Sequence, residues 1–294
     1  MRAFNQAPGP HPTLTFTSFD MQTHGKAIER AAAYLKKTSP EDGTLAEKTY
    51  ADINRWLGTG YQQASPDAKI AADHAARMVK LFDDHKSALI AASSASEWRD
   101  ARQAAEIARQ ACVQRSPEAA SDYRDQMMAR NVEWLVDEAH PKEKIVLWAH
   151  NGHVTVEGGA YKPMGSWLRA RFGKEIYVAG FAFRGGQLQA MGMRGASPGL
   201  SVHTAPPSPE GTGDAVLSAA GLPIFFLDMR AVPTDSTLGR WLAEKHLFYN
   251  LGAVWFGDDP ASNRQPAAMS KSFDGLFFFE KTTAAEGFGF THRQ

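Results

Sequence analysis

Residues 45–139 are rich in Ala, Arg, Glu, Asp and Gln, with few β-branched side chains and with Pro or Gly at breaks such as Ser65-Pro66 and Ser116-Pro117. Nearly a third of the chain therefore favours helix and offers little that suits a sheet. Ser65-Pro66-Asp67 and Ser116-Pro117-Glu118 each read as an N-cap, a proline at the first helical position and an early acid. In the last helix Tyr123, Met127, Arg130 and Trp134 recur at helical spacing, as do Met128, Val132 and Leu135, which marks that face as core.

The flanks follow another pattern. Residues 14–19 alternate apolar and hydroxyl side chains, a strand with one buried face, and residues 26–37 read as a helix stopped by the turn chemistry of residues 39–43. After Pro141 strands and helices alternate. Strands are predicted at 144–148, 175–183, 223–227, 253–256 and 276–280, helices at 163–172 and 214–220, and Arg184-Gly185-Gly186 reads as a hairpin turn into residues 187–191. The expected fold is α/β, a mixed, partly parallel β-sheet flanked by helices with a large helical insertion or cap. The expected division is 1–44 as an N-terminal strand-helix part of the α/β core, 45–140 as the cap, and 141–294 as the main core.

Composition narrows the function. The 294 residues balance 32 basic against 32 acidic side chains, which gives no general attraction for nucleic acid or anionic lipid. The single cysteine, Cys112, excludes an internal disulfide and paired-Cys metal or redox sites, and its alanine-rich surroundings mark it as a packing residue. No apolar run is long enough to span a membrane, and residues 1–12 lack the apolar stretch of a signal peptide. A cytoplasmic location is expected for the chain as it stands.

The densest chemical signal is Trp148-Ala149-His150-Asn151-Gly152-His153, where an apolar strand runs into two histidines and an asparagine. Strand ends in α/β sheets are where ligands bind. Neutral imidazole takes a proton from water and its cation returns one to a leaving alkoxide, so His150 and His153 suit ester hydrolysis. Asn151 would orient substrate or donate to a developing oxyanion. The alternative is that these side chains tie the loop to nearby backbone. A zinc site would need a third ligand such as Glu157, because His-x-x-His lacks the His-Glu-x-x-His pattern. Asp228 and Arg230 follow another strand and are candidates for substrate binding, with a structural ion pair as the alternative. Glu210-Gly211-Thr212-Gly213-Asp214 lacks the Lys-Ser/Thr of a phosphate loop and reads as a helix start. His24 reads as a solvated loop residue. Trp56, Trp98 and Trp134 either pack the cap or present apolar surface to a ligand.

Several stretches taken in order resemble the erythromycin esterase family: Phe19-Asp20-Met21-Gln22; Arg124-Asp125, Met128 and Asn131-Val132-Glu133-Trp134-Leu135; the His150 to His153 stretch; Met164-Gly165 with Leu168; Gly180-Phe181-Ala182-Phe183-Arg184-Gly185-Gly186; Phe226-Leu227-Asp228-Met229-Arg230; and Phe273-Asp274-Gly275-Leu276. The resemblance implies hydrolysis of an ester or macrolactone by water, without metal or cofactor, with His150 and His153 as catalytic residues. A small-molecule ester or macrolide is the implied partner. Members of that family also carry an N-terminal Gly-Glu-x-x-His-Gly type motif, which this sequence lacks. A truncated copy is therefore expected, with an apolar sheet edge or face left exposed, so that the chain is unstable alone, aggregates, or pairs with a second chain that supplies the missing part. A non-catalytic binding module and a metal-dependent hydrolase using both histidines are the rival readings.

Overall fold

The computed structural model describes residues 1–7, 9–58, 64–192, 199–257 and 260–285. The chain divides into two compact units, residues 1–145 and 146–294.

The first unit is helical: α1 (Arg2–Gln6), α2 (Gly25–Thr38), α3 (Pro40–Leu57), α4 (Ala68–Asp84), α5 (Lys86–Ala91), α6 (Ala95–Gln114) and α7 (Tyr123–Trp134), which continues as one π-helical turn, Leu135–Ala139. Its core joins Ile28 and Leu35 of α2, Tyr50 and Ile53 of α3, Met78 and Phe82 of α4, and the alanine face of α6 with Cys112. Small side chains on α6 let its neighbours approach closely. Trp56 and Trp98 pack against this core, and the Trp98 indole N–H donates to the Phe82 carbonyl at 3.0 Å.

The residues expected to stop α2 instead start α3. Ser39 is its N-cap, Pro40 its first residue, and Glu41 and Asp42 lie in its first turn. Turn and N-cap chemistry use the same residues, so sequence pattern alone does not separate them. Gly43 serves the packing of α2 on α3, because a Cβ there would lie 2.6 Å from the Lys36 Cα. The converse error occurs at Ser116-Pro117-Glu118, which forms a turn, while α7 begins at Tyr123.

Residues 14–19 form no strand, and Phe16 is 84% exposed. The segment that follows them is stapled to α7. The Asp20 carboxylate accepts from Arg124 at 3.1 and 2.7 Å, and the Asn131 amide donates to the Phe19 carbonyl at 2.9 Å. Asn131 also exchanges hydrogen bonds with Gln110 at 3.0 and 3.1 Å and accepts from Gln103 at 3.0 Å. Residues 1–44 thus belong to the helical unit, not to the sheet as expected. Asn131→Ala would strand two buried glutamine amides and a carbonyl, each worth about 1–3 kcal/mol when unsatisfied. A loss of about 3 kcal/mol or more in urea unfolding is expected.

The second unit is mixed α/β. It contains α8 (Asn151–Val154), α9 (Met164–Phe172), β1 (Ala179–Phe183), β2 (Gly186–Gly192), β3 (Leu200–Ala205), α10 (Gly213–Ser218), β4 (Ile224–Asp228), α11 (Thr237–Ala243), β5 (His246–Tyr249), β6 (Val254–Trp255), β7 (Arg264–Ala267), α12 (Met269–Ser272) and β8 (Gly275–Phe279). The main sheet has the order β1-β8-β4, with β8 parallel to β1 and antiparallel to β4. A second sheet has the order β3-β2-β6, and β5 pairs with β7. The predicted hairpin at Arg184-Gly185-Gly186 does not form, because β1 and β2 lie in different sheets and β2 pairs antiparallel with β3.

Ala182, Leu276 and Phe278 face a core that includes Val178, Leu217, Leu242, Phe248, Met269 and Phe273. The opposite face of the main sheet carries Phe181, Phe226, Phe277 and Phe279 in ring contact, with Phe226 47% and Ile224 63% exposed. The strand expected at 144–148 does not form and has no ladder partner among the described residues, and Val146 and Trp148 are exposed. No helix among the described residues is long and apolar enough to cross a membrane.

Candidate functional site

The His150 to His153 turn is built by anchoring. His150 is the N-cap of α8, and its Nδ1 accepts the Gly152 N–H at 3.1 Å. That fixes the ring proton on Nε2, which donates to the Leu251 carbonyl at 3.0 Å. Burial lowers the His150 pKa, and the charge of His153 opposes its protonation further. Both His150 nitrogens are therefore committed to backbone in the neutral state. In this arrangement the ring holds the turn against the Leu251 carbonyl.

Asn151 is committed in the same way. Its Oδ1 accepts the Phe181 N–H at 3.0 Å and its Nδ2 donates to the Phe181 carbonyl at 2.7 Å. The side-chain amide thus stands where a neighbouring strand's peptide group would pair with β1. His153 lies two residues on, half-buried, with its backbone N–H on the His150 carbonyl at 2.9 Å. Beyond α8 the Val156 N–H donates to the Ser272 carbonyl at 3.0 Å and the Ser166 hydroxyl to the Val156 carbonyl at 2.8 Å. Glu157, the conceivable third zinc ligand, accepts from the Ser272 hydroxyl at 3.2 Å. Among the described residues no three His, Cys, Asp or Glu side chains are grouped to hold a metal ion.

Asp228 and Arg230 lie elsewhere on the sheet. Because β4 runs antiparallel to β8, Asp228 pairs with Gly275, at the start of β8 and beside the start of β1. The carboxyl ends of β1 and β8, Phe183 and Phe279, are at the opposite end. Asp228 accepts from the Tyr177 hydroxyl at 2.9 Å and from the Arg230 N–H at 3.1 Å. Arg230 pairs with Asp274 at 2.9 Å and donates to the Ile176 carbonyl at 2.8 Å. Arg169 also bonds Asp274, whose other contact is the Val178 N–H at 2.7 Å. Burial opposes ionisation of Asp274, yet Arg230, the Val178 N–H and Arg169 together hold its pKa below the usual value. The geometry is that of a structural network joining two strand starts to α9. Asp274 was visible in the Phe-Asp-Gly stretch, but only the fold shows that it ties the network together.

His24, expected in solvent, is 1% exposed at the start of α2. Its Nε2 meets the Asn54 side chain at 3.0 Å, and its Nδ1 is buried without a hydrogen-bond partner. Burial lowers its pKa. The unfolded state, titrating near 6.5, therefore binds more protons as pH falls. The stability His24 contributes is present above about 6.5 and is lost as pH drops through its lower folded value. The urea midpoint of the first unit should fall between about pH 7.5 and 5, and fall less in His24→Gln.

The comparisons with known proteins agree with this fold. The family model described as erythromycin esterase matches residues 1–282. A putative hydrolase, YbfO of Bacillus subtilis, is 32% identical over 38% of this chain, and the aligned part is 27% of that relative. A crystal structure of a Bacillus cereus protein superposes with a TM-score of 0.80 at 19% identity, covering 96% of this chain and 70% of that one. A histidine mutant of erythromycin esterase EreC in its open conformation gives 0.68 at 17% identity, covering 95% and 71%. A fold shared along almost the whole chain, together with the family match over residues 1–282, makes this chain a member of the erythromycin esterase family.

Proposed function

We propose that this chain acts as an ester hydrolase of the erythromycin esterase type, on an ester or macrolactone through attack by water and without metal. His153 is the catalytic residue in this reading. Its neutral imidazole takes a proton during water attack and returns it to the leaving alkoxide. His150 and Asn151 are positioning residues that hold the turn on the Leu251 carbonyl and on β1.

The observation that carries the proposal is this double anchorage, at 3.0 Å on one side and 2.7 Å on the other. It spends two polar side chains on fixing a short turn whose remaining ionisable side chain is His153. Such fixing is what a proton-transfer group needs, because a misplaced base loses rate steeply.

The test incubates the purified chain with a 14-membered macrolide and with a chromogenic ester, with and without a chelator, and follows mass gain of one water. Chelator-resistant turnover is the expected result. Folded protein that binds macrolide but never adds water would mark a binding module instead. Turnover abolished by chelation would mark the metal-dependent rival.

A further inference from the structure

The carboxylate of Asp214 lies outside the turn just described, yet it leads back to it. Asp214 is fully buried at the start of α10. One oxygen, Oδ2, accepts the Tyr249 N–H at 2.9 Å and the Ser208 hydroxyl at 3.2 Å. The other, Oδ1, is buried without a partner. Ser208 in turn receives the Arg264 guanidinium at 3.3 Å, and Arg264 lies 4.1 Å over the Tyr249 ring. Tyr249 ends β5, and its ring stacks on Phe183 at the end of β1 with centroids 5.1 Å apart. The next residue, Asn250, donates its N–H to the Asn263 carbonyl at 2.9 Å. The one after, Leu251, offers the carbonyl that holds His150.

We propose that Asp214 is a positioning residue for the His150 to His153 turn, acting through Tyr249 and the Leu251 carbonyl. The proposal rests on that turn being the working part of the unit.

Capping does not explain the residue. Thr212 is the N-cap of α10, its hydroxyl accepting from the Ala215 N–H. Packing does not require a carboxylate either. α10 already abuts β5 directly, since a Cβ on Gly213 would lie 2.1 Å from the Phe248 ring. A buried carboxylate with one unpartnered oxygen is costly. Burial pushes the Asp214 pKa up to about 6, while the Tyr249 N–H, the Ser208 hydroxyl and the charge of Arg264 act in the opposite sense. The folded value exceeds the unfolded one, so this group's stability contribution is present below about 3.9 and is lost as pH rises through about 6. Residues kept at a cost to stability are characteristic of working sites. Arg184, from the loop after β1, faces the far end of α10 through Ser218 at 2.6 Å.

The test is nuclear magnetic resonance on the labelled full chain, comparing wild type, Asp214→Asn and Ser208→Ala from pH 5 to 8. It reads amide protection at Tyr249, Asn250 and Gly152, together with the His150 ring nitrogen shifts. Gly152 is the key reporter, since its N–H is held by His150 itself. In Asp214→Asn, loss of the charged acceptor should lower Gly152 protection about tenfold at pH 7.5 and weaken the Nε2–H signature of His150. It should also remove the part of the wild-type pH dependence that Asp214 contributes. Ser208→Ala, a mild change, should move that part to higher pH, because one donor holding the carboxylate ionised is gone. Loss of protection at Tyr249 alone, with Gly152 and the His150 ring unchanged, would overturn the proposal. None of these readings needs a substrate, so absent hydrolysis would count against the proposed function and leave this coupling standing.

Discussion

Replacing His153 with alanine is expected to lower ester turnover by about 10²–10⁴-fold, the range that a positioned proton-transfer group supplies. The loss should fall on kcat rather than KM, because the group acts as charge moves in the transition state and not on bound ester. A urea melt run beside the kinetics separates lost chemistry from lost fold, since His153 sits half-buried on a four-residue helix. His150→Ala provides the contrast. Removing that ring frees the Gly152 N–H and the Leu251 carbonyl at once, so stability and turnover should fall together. If His153→Ala kept wild-type turnover, the role assigned to it would be wrong.

Gly165→Ala should destabilise the second unit strongly. A Cβ at this position of α9 would stand 1.9 Å from the Val154 carbonyl oxygen and 2.4 Å from that of Thr155. Those atoms are backbone at the end of α8, so no rotamer change relieves the clash and α9 must retreat from α8. Overpacking of this kind costs about 1–3 kcal/mol and sometimes more. For a unit of this size that is roughly 5–10 °C in melting temperature. Calorimetry checks the stability, and turnover checks the consequence for the site, because α8 carries His153. An unchanged melt would mean that the α8 and α9 contact is looser than described.

Much of this protein is legible in its sequence. The helical region announced itself because helix propensity and 3.6-residue periodicity are local properties, and α2, α9, α10, β4 and β8 fall close to their predicted spans. The ordered marks that resemble the erythromycin esterase family also lay in the sequence, and Asp20, Arg124 and Asn131 among them prove to be one network pinning residues 19–20 to α7. The sequence also singled out His150, Asn151 and His153, as a run of polar side chains directly after an apolar segment.

Tertiary structure decided where those residues are held. Strand pairing is a property of two segments, so an apolar alternation such as residues 14–19 or 144–148 cannot announce whether a partner exists. Strand direction is likewise set by the neighbour. With β4 antiparallel to β8, Asp228 and Arg230 come to the starts of β1 and β8 and join Asp274. Burial of His24 and Asp214 depends on helices and strands far along the chain, and nothing in their local sequence encodes it. The division of labour in the turn is tertiary too. Only the positions of Leu251 and Phe181 commit His150 and Asn151 to backbone. Composition and periodicity specify which segments coil and which extend, whereas the free energy that assigns a polar side chain to anchoring or to chemistry comes from atoms brought near it by folding.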